Sequence, residues 1–204
     1  MKREAEIKEL LISNAIKLIA KGGFEMATTQ ELTHYGGDLP DIKMNEVYIY
    51  RIFGSKEELF REVFKFLDNE LYEAFEKGFN SLKDADVSPK EKIIKFLEGA
   101  WRFVLKNEDR CRCYVRYYYS IYFKGESSEY HKKLFKGVIS EMAPAFKDEA
   151  DVGAILHSVF TALFDFAIRV YNGDLEDNEI NRPHIFNVLY CMMETYLRTS
   201  EATA

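Results

Sequence analysis

The run "VYIYRIFGSKEELF", Val47 to Phe60, decides how the chain is read. Its first half is apolar and aromatic and stops at Gly54, the residue type that most easily ends a helix. Ser55-Lys56-Glu57-Glu58 follows at once and reads as a capping box, with the Ser55 hydroxyl at the N-cap and a glutamate three residues on. A short helix therefore stops where a new one starts, and two tyrosines, an arginine and a lysine crowd the junction.

Upstream, Ile7, Leu10, Leu11, Ala15, Leu18 and Ile19 mark one face of a first helix, which Gly22-Gly23 closes. Thr28-x-x-Glu31 is a second capping box and opens a short second helix, broken by "YGGDLPD". A third short helix is expected from about Asn45 to Phe53. Downstream, a long fourth helix starts at Ser55 and carries Leu59, Val63, Phe66, Leu67, Leu71, Ala74 and Phe75. Ser88-Pro89-Lys90-Glu91 opens a fifth, with proline at the first helical position. "CRCYVRYYYSIYF", "YHKKLFKGVISEMAPAF", "DVGAILHSVFTALFDFAIRVY" and "PHIFNVLYCMMETYLR" each read as one helix. No window alternates as a strand does, so the expected class is all-α with about nine helices.

Composition narrows the function. Of 204 residues, 47% are hydrophobic and 30% charged, an ordinary globular balance, and the net charge of −6 does not announce a nucleic-acid binder. No stretch reads as long and apolar enough to span a membrane, and the charged start "MKREAEIKELL" lacks a signal-peptide core. Cys111, Cys113 and Cys191 form no framework, which suits a reducing cytoplasm. Cys111 and Cys113 could form a strained pair or a metal site, and buried thiols fit better. Glu31-x-x-His34 is the lone di-iron-type motif, and no zinc spacing, phosphate loop or nucleophile elbow occurs. The chain is therefore not expected to be an enzyme, nor to need a metal or cofactor.

Taken as a set, these motifs resemble the TetR family of transcriptional regulators. Gly22-Gly23-Phe24, the Thr28-Thr29 pair, Ile49-Tyr50, Phe53 and Gly54-Ser55-Lys56-Glu57-Glu58-Leu59 carry the resemblance, which runs to about Lys65. It implies an N-terminal three-helix helix-turn-helix DNA-binding domain, residues 1–54. Residues 55–204 would be a helical ligand-binding and dimerisation domain, with helix four, from Ser55, linking the two. The expected partners are double-stranded operator DNA, a small apolar or aromatic ligand and a second copy of the chain. The expected action is repression that the ligand relieves, and the alternative is a sensor of the same fold that has lost operator binding.

The DNA-contacting set expected from this layout is Thr28, Thr29, Gln30, Lys43, Asn45, Glu46, Tyr48, Tyr50, Arg51 and Lys56. Thr28, Thr29, Ser55 and Lys56 stand at helix starts, where free N–H groups suit phosphate, and Tyr50 offers a phenol to the backbone. Asn45 and Tyr48 are base-reading candidates, Glu46 can accept from a cytosine amine, and Lys43 and Arg51 suit either role. Two features depart from the family pattern. The segment between Thr28 and Tyr50 is longer, the extra residues falling in "HYGGDLPDIK". The first 60 residues also hold eight Lys/Arg against ten Asp/Glu, so non-specific affinity should be weak.

In the second half, Tyr114, Tyr117, Tyr118 and Tyr122 are expected to share one helix. With Trp101, His157, Phe160, Phe164 and Asp165 they would line an apolar pocket with a few polar handles. The segment "VGAILHSVFTALFDFAIRV" is apolar nearly all round and must be covered on more than one side. Val159, Leu163, Phe166, Ile185, Leu189, Met192, Met193 and Tyr196 are the expected dimer contacts.

Overall fold

Hydroxyls and glycines set several helix boundaries in the computed structural model, which describes residues 2–37, 39 and 42–198. The first helix, α1 (Lys2–Gly22), ends where Gly23 turns to φ +86° and its N–H bonds the Ile19 carbonyl. Helix α2 (Thr29–His34) begins with the Thr28 Oγ1 accepting from the Glu31 N–H at 3.1 Å. Helix α3 (Val47–Phe53) closes at Gly54, φ +84°, and α4 (Lys56–Leu82) opens with the Ser55 Oγ accepting from the Glu58 N–H. Helix α5 (Pro89–Lys106) has the complete capping box: the Glu91 N–H donates to the Ser88 Oγ, and the Ser88 N–H to the Glu91 carboxylate. Helices α6 (Glu108–Tyr118), α7 (Glu126–Met142), α8 (Val152–Asn172) and α9 (Asn181–Glu194) follow. Among the described residues the fold is nine α-helices and a 3-10 turn at Ala143–Ala145, with no strand beyond two isolated bridges.

Helix α6 is shorter than its tyrosine run suggests. Ser120 intercepts the backbone: its N–H and Oγ both donate to the Tyr117 carbonyl, and its Oγ accepts from the Tyr122 N–H. Tyr119 becomes the C-cap, and Tyr122 lies beyond the helix rather than on it. The third helix likewise starts at Val47, with Glu46 as its N-cap, rather than at Asn45.

The helices form two compact units, Met1–Leu71 with Asn107–Lys132, and Tyr72–Lys106 with Lys133–Ala204. The compact units do not divide at residue 54 as the motif boundary does. The first unit holds α1 to α3, the first part of α4, α6 and the start of α7. Its core comprises Leu11, Leu18, Ile19, Leu32, Ile49, Phe60 and Phe64, and α6 packs along α1. Asn14, 1% exposed, donates its amide to the Leu32 carbonyl and so satisfies a backbone acceptor near the end of α2.

In the second unit α8 packs on α5 and α9 around Leu97, Trp101, Leu156, Leu163 and Leu189. Against the sequence expectation, α8 is long and apolar enough, by length and composition, to cross a membrane. The same composition suits a core helix, and Val152, Leu156, Val159, Leu163 and Ala167 bury one stripe of it. Cys111 and Cys113 are buried thiols outside any disulfide, as expected, with burial pushing the Cys113 thiol up, and Cys191 is exposed.

The single tryptophan gives this unit its own reporter. Trp101, 1% exposed, donates its indole N–H to the Asp177 carboxylate at 3.0 Å. The Arg182 guanidinium, bonded to the same carboxylate, and the indole together hold Asp177 below the usual carboxylate range. Because the folded-state value is depressed, this contact stabilises the fold above the unfolded carboxylate range. Its contribution is lost as pH falls through the folded value. Tryptophan emission is therefore expected to hold steady through the ordinary carboxylate range and to change only below it, and Asp177→Asn should abolish that acid transition.

Candidate nucleic-acid interface

All ten residues expected to touch DNA belong to the first unit. Thr28 spends its side-chain oxygen on the cap of α2 and remains exposed, and Gln30, two residues along, is exposed. Thr29 is used differently from the phosphate contact expected of it. Its hydroxyl donates at 2.7 Å to the Glu46 carboxylate, tying the start of α2 to the N-cap of α3. Asn45 also serves the fold, its Oδ1 accepting from the Val47 N–H at 3.0 Å in an Asx turn that launches α3. Met44, 1% exposed, anchors the long connector from below, while Lys43 stays exposed.

On α3 itself Ile49 faces the core and Tyr50 is 55% exposed. The Arg51 guanidinium lies over the Tyr48 ring, 4.7 Å from its centroid, so these two act as one cationic, flat-faced group. Val47 is 67% exposed, an apolar side chain at the helix start to which periodicity alone assigns no contact. Lys56 sits half-exposed at the start of α4, its ammonium 5.7 Å from the Phe60 ring centroid. The α1 and α4 helices are joined by Lys8 and Glu62 at 2.9 Å, and that hydrogen bond is the main reason the Glu62 carboxyl is held down.

The expected ligand residues do not gather in one unit. Tyr114, Tyr117, Tyr118 and Tyr122 belong to the first unit, and Trp101, His157, Phe160, Phe164 and Asp165 to the second. The four tyrosines pack in an aromatic cluster beneath the three-helix head. Phe64 stacks on Tyr117 and Tyr114 at centroid distances of 4.5 and 5.4 Å, and Phe24 meets Tyr122 at 4.7 Å. Tyr118 stacks on Phe123 at 4.2 Å. The buried hydroxyls are engaged: Tyr117 with Ser127 at 3.1 Å, and Tyr114 donating to Asp68 at 3.1 Å. Asp68, fully buried on α4, also bonds the His131 Nδ1 at 2.9 Å. Burial first, and the Asp68 charge second, push the Tyr114 phenol well above its ordinary value. Asp68 and His131 escape a reading of the sequence, because nothing local marks a polar group that folds into an aromatic core.

In the second unit Phe160 stacks on Phe75 at 4.5 Å and meets Phe96 at 6.3 Å, two partners outside the expected set. Trp101 is buried against Phe186, and Phe164 is half-buried. His157 and Asp165 are exposed, and Asp165 pairs with Arg169 one turn on, so neither is an interior polar handle. The expected dimer contacts also divide. Val159, Leu163, Ile185, Leu189 and Met193 are buried within the protomer's own unit. Phe166 and Met192 are half-buried and Tyr196 is 46% exposed, leaving these three able to meet a partner.

This architecture is the TetR-family fold. A TetR-family transcription regulator from Marinobacter aquaeolei VT8 superposes with a TM-score of 0.70 at 14% identity, over 94% of this chain and 98% of that one. The fatty acid degradation regulator FadR of Bacillus halodurans matches with a TM-score of 0.61 at 14% identity, over 89% and 96% of the two chains. FadR of Bacillus subtilis, solved with stearoyl-CoA, matches with a TM-score of 0.58 at 15% identity, over 89% and 96%. No protein-family model and no curated protein matches the sequence.

Proposed function

We propose that the chain is a DNA-binding transcription regulator that acts from the cytoplasm as a two-fold dimer and answers to a small apolar ligand. The observation that carries this reading is the head itself: a Thr28-capped α2, a solvent-facing α3 and a Ser55-capped α4, on the fold of TetR regulators. A recognition helix flanked by two capped helix starts is the arrangement that sets base edges against one element and phosphates against its neighbours. Two heads must reach successive major grooves, and Phe166 on α8, Met192 on α9 and Tyr196 just beyond α9 supply an interface for pairing. The ligand half is supported by the ring cluster of Phe75, Phe96 and Phe160 and by the stearoyl-CoA in the complex of one protein of the same fold. Helices α4 and α7 each run through both units, so a ligand that prefers one arrangement of the second has two continuous helices leading to the first.

The experiment is binding to duplex DNA from the promoter of its own gene, followed by anisotropy over a range of salt. Lys56→Ala is expected to weaken all sequences alike and to lower the salt slope by about one unit, and Tyr50→Phe to weaken binding without changing the melting temperature. Operator affinity unchanged in both variants would remove these residues from the backbone contact. The second reading, a sensor that has lost its operator, is favoured by one observation: the first 60 residues hold eight Lys/Arg against ten Asp/Glu, a poor match for a polyanion. Under it the wild-type protein shows no preference for any duplex while still binding ligand and dimerising.

A further inference from the structure

The bond between Thr29 and Glu46 gives the head a chemistry of its own. Glu46 is exposed at the N-cap of α3, with its backbone fixed by the turn that Asn45 makes and by its carbonyl accepting from the Ile49 N–H at 3.1 Å. Its side chain is held at the far end, where Oε2 accepts from the Thr29 hydroxyl at 2.7 Å. Thr29 is in turn fixed in the first turn of α2, its carbonyl accepting from the buried Thr33 hydroxyl at 3.1 Å. A carboxylate has about four lone-pair directions, so one donor leaves it able to accept more. The first residues of a recognition helix are those that meet base edges.

Resting on the DNA-binding reading above, we infer that Glu46 is a specificity-determining residue that reads a cytosine in the major groove, with Thr29 as its positioning residue. An ionised carboxylate only accepts, and the major groove presents amine donors on cytosine and adenine alone. Adenine sets its N7 acceptor beside the amine and so opposes a second carboxylate oxygen. In its pair cytosine sets the N4 amine between the guanine O6 and its own C5–H, so one flank carries no acceptor, whereas the adenine amine lies between its own N7 and the thymine O4. Guanine and thymine offer acceptors where Glu46 needs a donor, and with phosphates nearby an uncompensated carboxylate is repelled. Discrimination thus comes mostly from rejection of the wrong base. Holding the side chain by Thr29 before DNA arrives removes the ordering cost at the moment of binding.

The test is selection of duplexes from a random library by the full-length wild type, Glu46→Gln, Thr29→Val and Thr29→Ser, followed by competition binding on the selected site. The wild type is expected to select a half-site with one cytosine whose exchange for thymine weakens binding about 5- to 150-fold. Glu46→Gln, whose amide both donates and accepts, should lose that preference at this one position and bind overall more tightly at low salt. Thr29→Val should blur the same position and no other, and Thr29→Ser should restore it. A merely structural hydroxyl would change affinity evenly across positions. If the wild type selects a clear motif that Glu46→Gln leaves unchanged, the inference falls and the DNA-binding reading stands. If the wild type enriches no sequence, both fall together.

Discussion

Leu163→Arg is expected to leave the second unit unfolded, while Phe166→Arg, three residues on, is expected to give a folded monomer. Leu163 is fully buried on the inner stripe of α8, in a unit where that helix packs on α5 and α9. An arginine there is a buried charge without a partner and costs about 3–5 kcal/mol or more, a large share of the whole stability of a domain. Phe166 lies on the same helix but off that stripe and is half-buried. Arginine at this position disturbs little within the protomer, yet in the proposed dimer it sets like charges against each other across the two-fold axis. Circular dichroism and sedimentation velocity separate the outcomes. A Leu163→Arg protein that melts like wild type would contradict the packing of α8, and a dimeric Phe166→Arg would remove that face from the interface.

The second large effect belongs to the buried carboxylate. His131→Ala is expected to destabilise the protein by about 2–4 kcal/mol, because it strips a donor from Asp68 and leaves a charge in the aromatic core with less to compensate it. Tyr114→Phe removes the other donor and should cost about 1–3 kcal/mol. Asp68→Asn combined with His131→Ala should cost less than the two changes added, since the neutral amide no longer calls for the second donor. Urea melts of the four proteins test this coupling. Strict additivity would mean that Asp68 and His131 do not act as a pair.

The helix starts are legible in the sequence because their determinants are local. Thr28, Ser55 and Ser88 each find their partner three residues away, and a pattern that short survives any tertiary arrangement. The tyrosine run misleads because its helix is ended by a serine side chain, and serine is equally at home on an exposed helix face. Which residues of α8 and α9 are covered within the protomer and which are not is not legible at all. Both helices carry apolar residues beyond their buried stripe, and periodicity records that a residue suits cover without saying what supplies it. Likewise the hydroxyl of Thr29 suits phosphate until the long connector brings Glu46 within hydrogen-bond reach.

The first unit is assembled from two separate lengths of chain, with Tyr72–Lys106 threaded between them. The head is therefore not a cassette. During synthesis the ribosome has to deliver Tyr114, Tyr117 and the loop through Phe123 before Phe24, Phe60 and Phe64 acquire the rest of their ring partners. Until then a nascent chain carries a sticky aromatic surface, the kind that holding chaperones recognise and that clumps when they are scarce. A fragment cut after α4 would keep every helix-turn-helix motif and would still lack the floor on which the head stands.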